Sequence, residues 1–157
     1  MSKVDILELL REHPFTHALN EEWLQKLASA GSIRVFQAGE FLLREGRVVE
    51  AFYLIVSGYA SVELYMPERG VLRLQTLGPG DVAGWSWTTP PYKSTFDVRA
   101  VDEVTTVALN SERLREIMKE DCALGARILL RLLSVVAQRL NATRLQLVDM
   151  YASGGER

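Results

Sequence analysis

The sequence predicts a mostly β protein with flanking helices: a barrel or jelly roll between short N-terminal helices and one long C-terminal helix. Three observations predict it. Apolar residues recur at helical spacing before residue 30, the period becomes two between Ser32 and Leu109, and a proline-free apolar pattern runs from about Asp121 to Met150. The 157 residues are 48% hydrophobic and 24% charged, which fits one globular domain spanning 1–157. Its parts are N-terminal helices at 3–30, a β-roll at 32–109 and C-terminal helices at 111–151.

In the first part Val4, Leu7 and Leu10 share a helical face, and Trp23, Leu24 and Leu27 repeat the pattern after a break. Asn20 before Glu21 and Glu22 is a good N-cap, with acids where the helix dipole favours them. In the middle part glycines punctuate the chain at Gly39, Gly46, Gly58, Gly70, Gly78 and Gly80. "FYLIVSGYASVELY" reads as two strands joined at Ser57-Gly58, and "GVLRLQTLGPGD" as a strand ending in a tight turn. Many short strands at this spacing predict a barrel or jelly roll.

After "LNSERL", where Ser111 is expected to cap a short helix, the last helix carries two stripes. Leu129, Leu133, Val136, Leu140, Thr143, Leu147 and Met150 alternate spacings of four and three, the a/d repeat of a coiled-coil seam. Ile128, Leu132 and Val135 lie beside that seam, so the first half of the helix is expected to pack on the barrel and the rest to meet a second copy. A homodimer through this helix is therefore expected, since its seam would otherwise stay uncovered.

A net charge of −2 argues against a large basic surface for nucleic acid, so no direct DNA binding is expected. Cys122 is the single cysteine, "MSKVDILELLREH" lacks the apolar core of a secretory signal, and no run approaches the ~18 apolar residues of a membrane span. The expectation is a cytoplasmic protein with no membrane contact. Catalysis is not expected either: His13 and His17 have no acid completing a metal set, Ser86 has no histidine near it, and no metal or cofactor is implied.

Six stretches occur in a telling order: "HPFTHAL" (13–19), "FQAGEFLLREG" (36–46), "FYLIVSGYASVEL" (52–64), "LGPGDVAGW" (77–85), "FDVRAVDEVTTVAL" (96–109) and "VVAQRLNATRLQL" (135–147). Together they resemble the cyclic-nucleotide-binding domain of the CRP/FNR regulators. The resemblance implies an eight-stranded double-stranded β-helix, or jelly roll, with a Gly-rich phosphate cassette and a long C-terminal dimerisation helix. It also implies a binding site at Gly84, Trp85, Ser86, Ser94, Thr95 and Phe96, completed by Thr143 and Arg144 on the long helix. Family members continue past that helix into a winged helix–turn–helix, whereas "YASGGER" follows Met150 here. A stand-alone regulatory module is expected on that ground.

The cassette departs from the family pattern. The family's ribose-binding glutamate corresponds to Trp85, and its phosphate-binding arginine to Ser94 beside Thr95. Losing a buried charge pair costs ~2–5 kcal/mol and losing a charged acceptor ~1.5–3 kcal/mol more, about three decades of affinity. Lys93 is expected on the face opposite Ser94 and supplies no ready replacement. Trp85, Trp87, Tyr92 and Phe96 are expected either to enclose a less charged ligand or to fill the cavity. The leading expectation is a small-molecule-sensing, dimeric regulatory module that does not bind cyclic AMP in the usual way. The alternatives are a true cyclic-nucleotide receptor with another phosphate clamp, and a ligand-free scaffold meeting an unidentified protein partner.

Overall fold

The computed structural model describes residues 3–154, so both ends of the expected domain and the Val4 side chain lie outside the described residues. Helices α1 (Lys3–Glu12) and α2 (Glu21–Ala28) open the chain. Asn20 caps α2 as its position predicts, accepting a hydrogen bond from Trp23 N at 2.9 Å.

Eight strands follow: β1 (Gly31–Phe36), β2 (Phe41–Leu43), β3 (Ala51–Ser57), β4 (Ala60–Met66), β5 (Gly70–Leu77), β6 (Val82–Ala83), β7 (Asp97–Ala100) and β8 (Val104–Asn110). They form two four-stranded sheets, ordered β1-β8-β3-β6 and β2-β7-β4-β5, with antiparallel pairing throughout. The fold is mostly β with helices, as the sequence predicts, and its sheets share one apolar core that includes Leu42, Phe52, Leu54, Val62, Val98 and Val107.

The joint at Ser57-Gly58 is a corner between sheets and not a hairpin, because β3 belongs to one sheet and β4 to the other. Gly58 has φ +83°, and a Cβ there would lie 2.1 Å from Glu103 O, so only glycine fits the corner. The hairpin instead joins β4 to β5, where Ala60 faces Leu77 and Met66 faces Gly70.

Helices α3 (Ser111–Glu120) and α4 (Cys122–Gly154) close the chain. The cap of α3 is Asn110, accepting from Arg113 N at 2.9 Å, and not Ser111. Ser111 lies inside, donating to Val49 O at 2.8 Å, because β8 runs one residue further than its pattern indicates. Asp121 begins α4: one oxygen accepts from Leu124 N at 3.1 Å and the other from Lys26 Nζ at 2.8 Å and Trp23 Nε1 at 3.1 Å. The Lys26 contact chiefly holds the Asp121 carboxyl below its usual range. In α4 the residues Leu124, Gly125, Ile128 and Leu132 are buried. No helix of the described residues is long and apolar enough to cross a membrane.

Candidate functional site

The cassette turns at Gly84, whose φ of +97° and close approach to Ala51 O (3.0 Å from a Cβ placed there) demand glycine. A single 3-10 turn, Trp85–Thr88, follows and sends two tryptophans in different directions. Trp87 is fully buried against Phe52, with ring centroids 5.7 Å apart. Its carbonyl accepts from Arg115 Nη1 at 2.9 Å, and that guanidinium lies 4.0 Å above the Tyr92 ring. Trp87 and Tyr92 are therefore held in the scaffold, and neither lines the cavity beside Trp85.

Trp85 is half-buried and meets Phe96 edge-on at 6.4 Å. Ser94 is buried, and its Oγ donates to Phe96 O at 2.6 Å while accepting from Phe96 N at 3.3 Å. The Ser94 hydroxyl is thus spent on its own loop. Lys93 is exposed, opposite in burial to Ser94. Gly84, Trp85, Ser86, Ser94, Thr95 and Phe96 converge on one cavity of about 20 Å³, room for about one water molecule.

The group that completes this cavity is Arg139 of α4, which the sequence reading missed. Its guanidinium lies 4.7 Å above the Trp85 ring, a contact worth ~0.5–2 kcal/mol. It also donates to Val82 O, while the Arg139 carbonyl accepts from Gln75 Nε2 at 3.1 Å. Burial pushes the Arg139 pKa down to about 10, with Asp81 opposing the shift. The group stays charged at neutral pH, and among the described residues no carboxylate forms an ion pair with it. The signal available in the sequence was a cation beside the a/d seam, four residues after Val135 on the side that carries Leu132.

Thr143 lines an adjoining hollow of about 240 Å³ with Trp85, Phe96, Arg139 and Leu140. Its Oγ1 donates to Arg139 O at 2.9 Å. Arg144 is exposed and donates to Asn141 Oδ1 at 3.2 Å, away from the cavity. Along the seam Leu129, Leu133, Leu140, Leu147 and Met150 are exposed and Val136 is half-buried. His13 is buried: Nε2 meets Ile55 O at 3.0 Å and Nδ1 accepts from Phe15 N at 3.1 Å.

Comparison with known proteins gives this arrangement a context. The family model for the cyclic nucleotide-binding domain matches residues 33–121. A CRP-like cAMP-activated global transcriptional regulator of Mycobacterium tuberculosis is 27% identical over 115 residues, covering 73% of this chain and 50% of that protein. A solved protein of Geobacter metallireducens GS-15 named for cyclic-nucleotide binding aligns with TM-score 0.75 at 26% identity, covering 85% of this chain and 96% of that one. A cyclic nucleotide-binding domain from Methylobacillus flagellatus KT shares the fold, with TM-score 0.78 at 20% identity over 94% of this chain and 83% of that one. The chain spans 16% to 50% of the length of the first curated relatives it matches.

Proposed function

This chain belongs to the cyclic nucleotide-binding domain family, and on that premise we propose that it is a regulatory, ligand-sensing dimerisation module whose pocket is keyed by Trp85 and Arg139 in place of the family's charged cassette. One observation carries the reading: a guanidinium from α4 with no carboxylate partner among the described residues stands over Trp85, at the mouth of a cavity too small for a nucleotide. The cation of the site comes from the helix, so a ligand that engages it must move α4 or Trp85. Binding is thereby tied to the element that bears the seam. The regulatory role accords with the mycobacterial relative's name, whereas its ligand is not carried over, because the resemblance in sequence implies uncharged Trp85 and Ser94 at the two anchor positions.

The ligand-binding set is Gly84, Trp85, Ser86, Ser94, Thr95, Phe96 and Arg139, with Thr143 and Arg144 joining once α4 shifts. Pairing of two copies through Leu129, Leu133, Val136, Leu140, Thr143, Leu147 and Met150 would cover the exposed seam. Thr143, the polar member of that seam, would set the register.

Thermal unfolding with ~1 mM cyclic AMP, cyclic GMP and a panel of nucleosides and small aromatic acids tests the proposal. A ligand at 100 times its Kd adds about 2.7 kcal/mol, a rise of roughly 5–10 °C for a chain of this size. No shift with the cyclic nucleotides and a shift with another compound is the expected result. A full shift with cyclic AMP overturns the proposal, and a flat panel favours the scaffold reading. The double change Trp85→Glu with Ser94→Arg sharpens the outcome: if only the anchors are missing, cyclic AMP affinity rises by about three decades.

A further inference from the structure

We infer that the cleft between α4 and the β5 side of the barrel is a second ligand site, suited to a small metabolite with an anionic group at each end. The cleft has a volume of about 330 Å³, at the lower end of the range for small-molecule sites. Its polar wall includes Gln75, Asp81, Arg131, Ser134, Gln138 and Arg139. It shares only Arg139 with the cavity beneath Trp85.

Charge in this cleft is unbalanced toward cations. Arg131 Nη2 donates to Pro14 O at 2.7 Å and Arg139 to Val82 O, and each guanidinium has five N–H donors in all. Among the described residues neither arginine forms an ion pair. Asp81 is the one acid of the lining, and its Oδ2 already accepts from Gly78 N at 2.8 Å. Two guanidinium charges against one carboxylate leave a net positive cleft, with Ser134, Gln75 and Gln138 to orient a polar body between its ends.

Spacing selects the ligand class. Arg131 and Arg139 are two turns of α4 apart, about 12 Å along the axis at ~1.5 Å per residue. Such a separation favours two anionic groups, phosphate or carboxylate, over a single one, and so a chemistry different from a cyclic nucleotide. Because Arg139 also covers Trp85, an anion that draws its guanidinium into the cleft uncovers the ring. The two sites are coupled through this one side chain.

Calorimetric titration of the whole chain with 1,3-propanediol bisphosphate, and with inorganic phosphate as the single-anion control, tests the inference, with tryptophan emission recorded in parallel. The expected result is saturable bisphosphate binding, at least tenfold weaker phosphate binding and a change in emission that Trp85→Phe removes. Arg131→Gln should weaken bisphosphate binding by at least about tenfold, and Asp81→Asn should tighten it. Arg131 is exposed and outside the Trp85 cavity, so its variant leaves the proposed sensing pocket intact and the two readings fail separately. Absence of saturable heat, equal affinity for phosphate, or an Arg131→Gln protein that titrates like its parent overturns the inference.

Discussion

The two halves of α4 are both rich in leucine and yet differ in fate. In the first half Leu124 and Leu132 are 0% and 4% exposed while Leu129, Leu130 and Leu133 on its other face are exposed, whereas in the second half every leucine is exposed, Leu140 and Leu147 at 70% and 54%. The first half leans on α3 and the core. Gly125 permits this approach, since a Cβ there would lie 3.1 Å from Met118 O. The second half is held to the barrel largely by polar clips: Gln75 to Arg139 O, Arg139 to Val82 O, and Gln146 Nε2 to Leu74 O at 2.7 Å. Apolar composition therefore does not decide burial along this helix. Packing anchors one half, and a few hydrogen bonds hold the other where a ligand or a second copy can compete for it.

The largest effect should come from breaking the packed half. Leu124→Ala removes a fully buried side chain and should cost about 2–5 kcal/mol, lowering the thermal midpoint by roughly 10 °C. Leu140→Ala, the same change in the open half, should shift it little in dilute protein and more as concentration rises, if copies pair there.

Next comes the clip itself. Arg139→Ala removes a charge-assisted hydrogen bond and the stack on Trp85, together worth about 2 kcal/mol. A red shift of Trp85 emission should accompany the lower midpoint. An unchanged spectrum would show that the guanidinium does not cover the ring in solution.

Smaller in stability but decisive for assembly, Leu140→Glu with Leu147→Glu should leave the folding of a single copy within about 0.5 kcal/mol. Sedimentation should then report a monomer for the variant and a dimer for the parent. A parent that sediments as a monomer at all concentrations removes the seam from the proposed function.

The smallest effect is one of pH, and it acts on the packed half alone. His13 holds the Pro14–Phe15 turn, to which Arg131 of α4 bonds, and burial lowers its pKa below 6.5. The folded state thus prefers the neutral ring. Its contribution is complete above pH 6.5 and is lost as pH falls through the lower folded-state value. A plot of midpoint against pH should bend downward below pH 6.5, and His13→Asn should flatten the bend.

Much of the fold was legible because its signals are local. Asn20 announces the cap of α2 through residues one turn away, and the switch to period two marks where strands begin. Ser111 was misread by one position, since Asn110 both ends a strand and caps a helix, and short-range pattern does not separate the two. The six cassette residues that line the small cavity were legible as a group from the order of motifs. Arg139 was not, because its role depends on which side of α4 faces β5 and β6.

Local chemistry in the sequence determined the identity and order of the elements, the glycine corners and the absence of charge at Trp85 and Ser94, since each depends on neighbouring residues or on side-chain identity alone. Only the tertiary structure decided that Trp87 belongs to the core while Trp85 meets the cavity, that the strands beside Gly58 enter different sheets, and that the cation comes from α4. Those outcomes arise from contacts between distant segments, where a rotation of one helix or a corner between sheets changes which side chains meet.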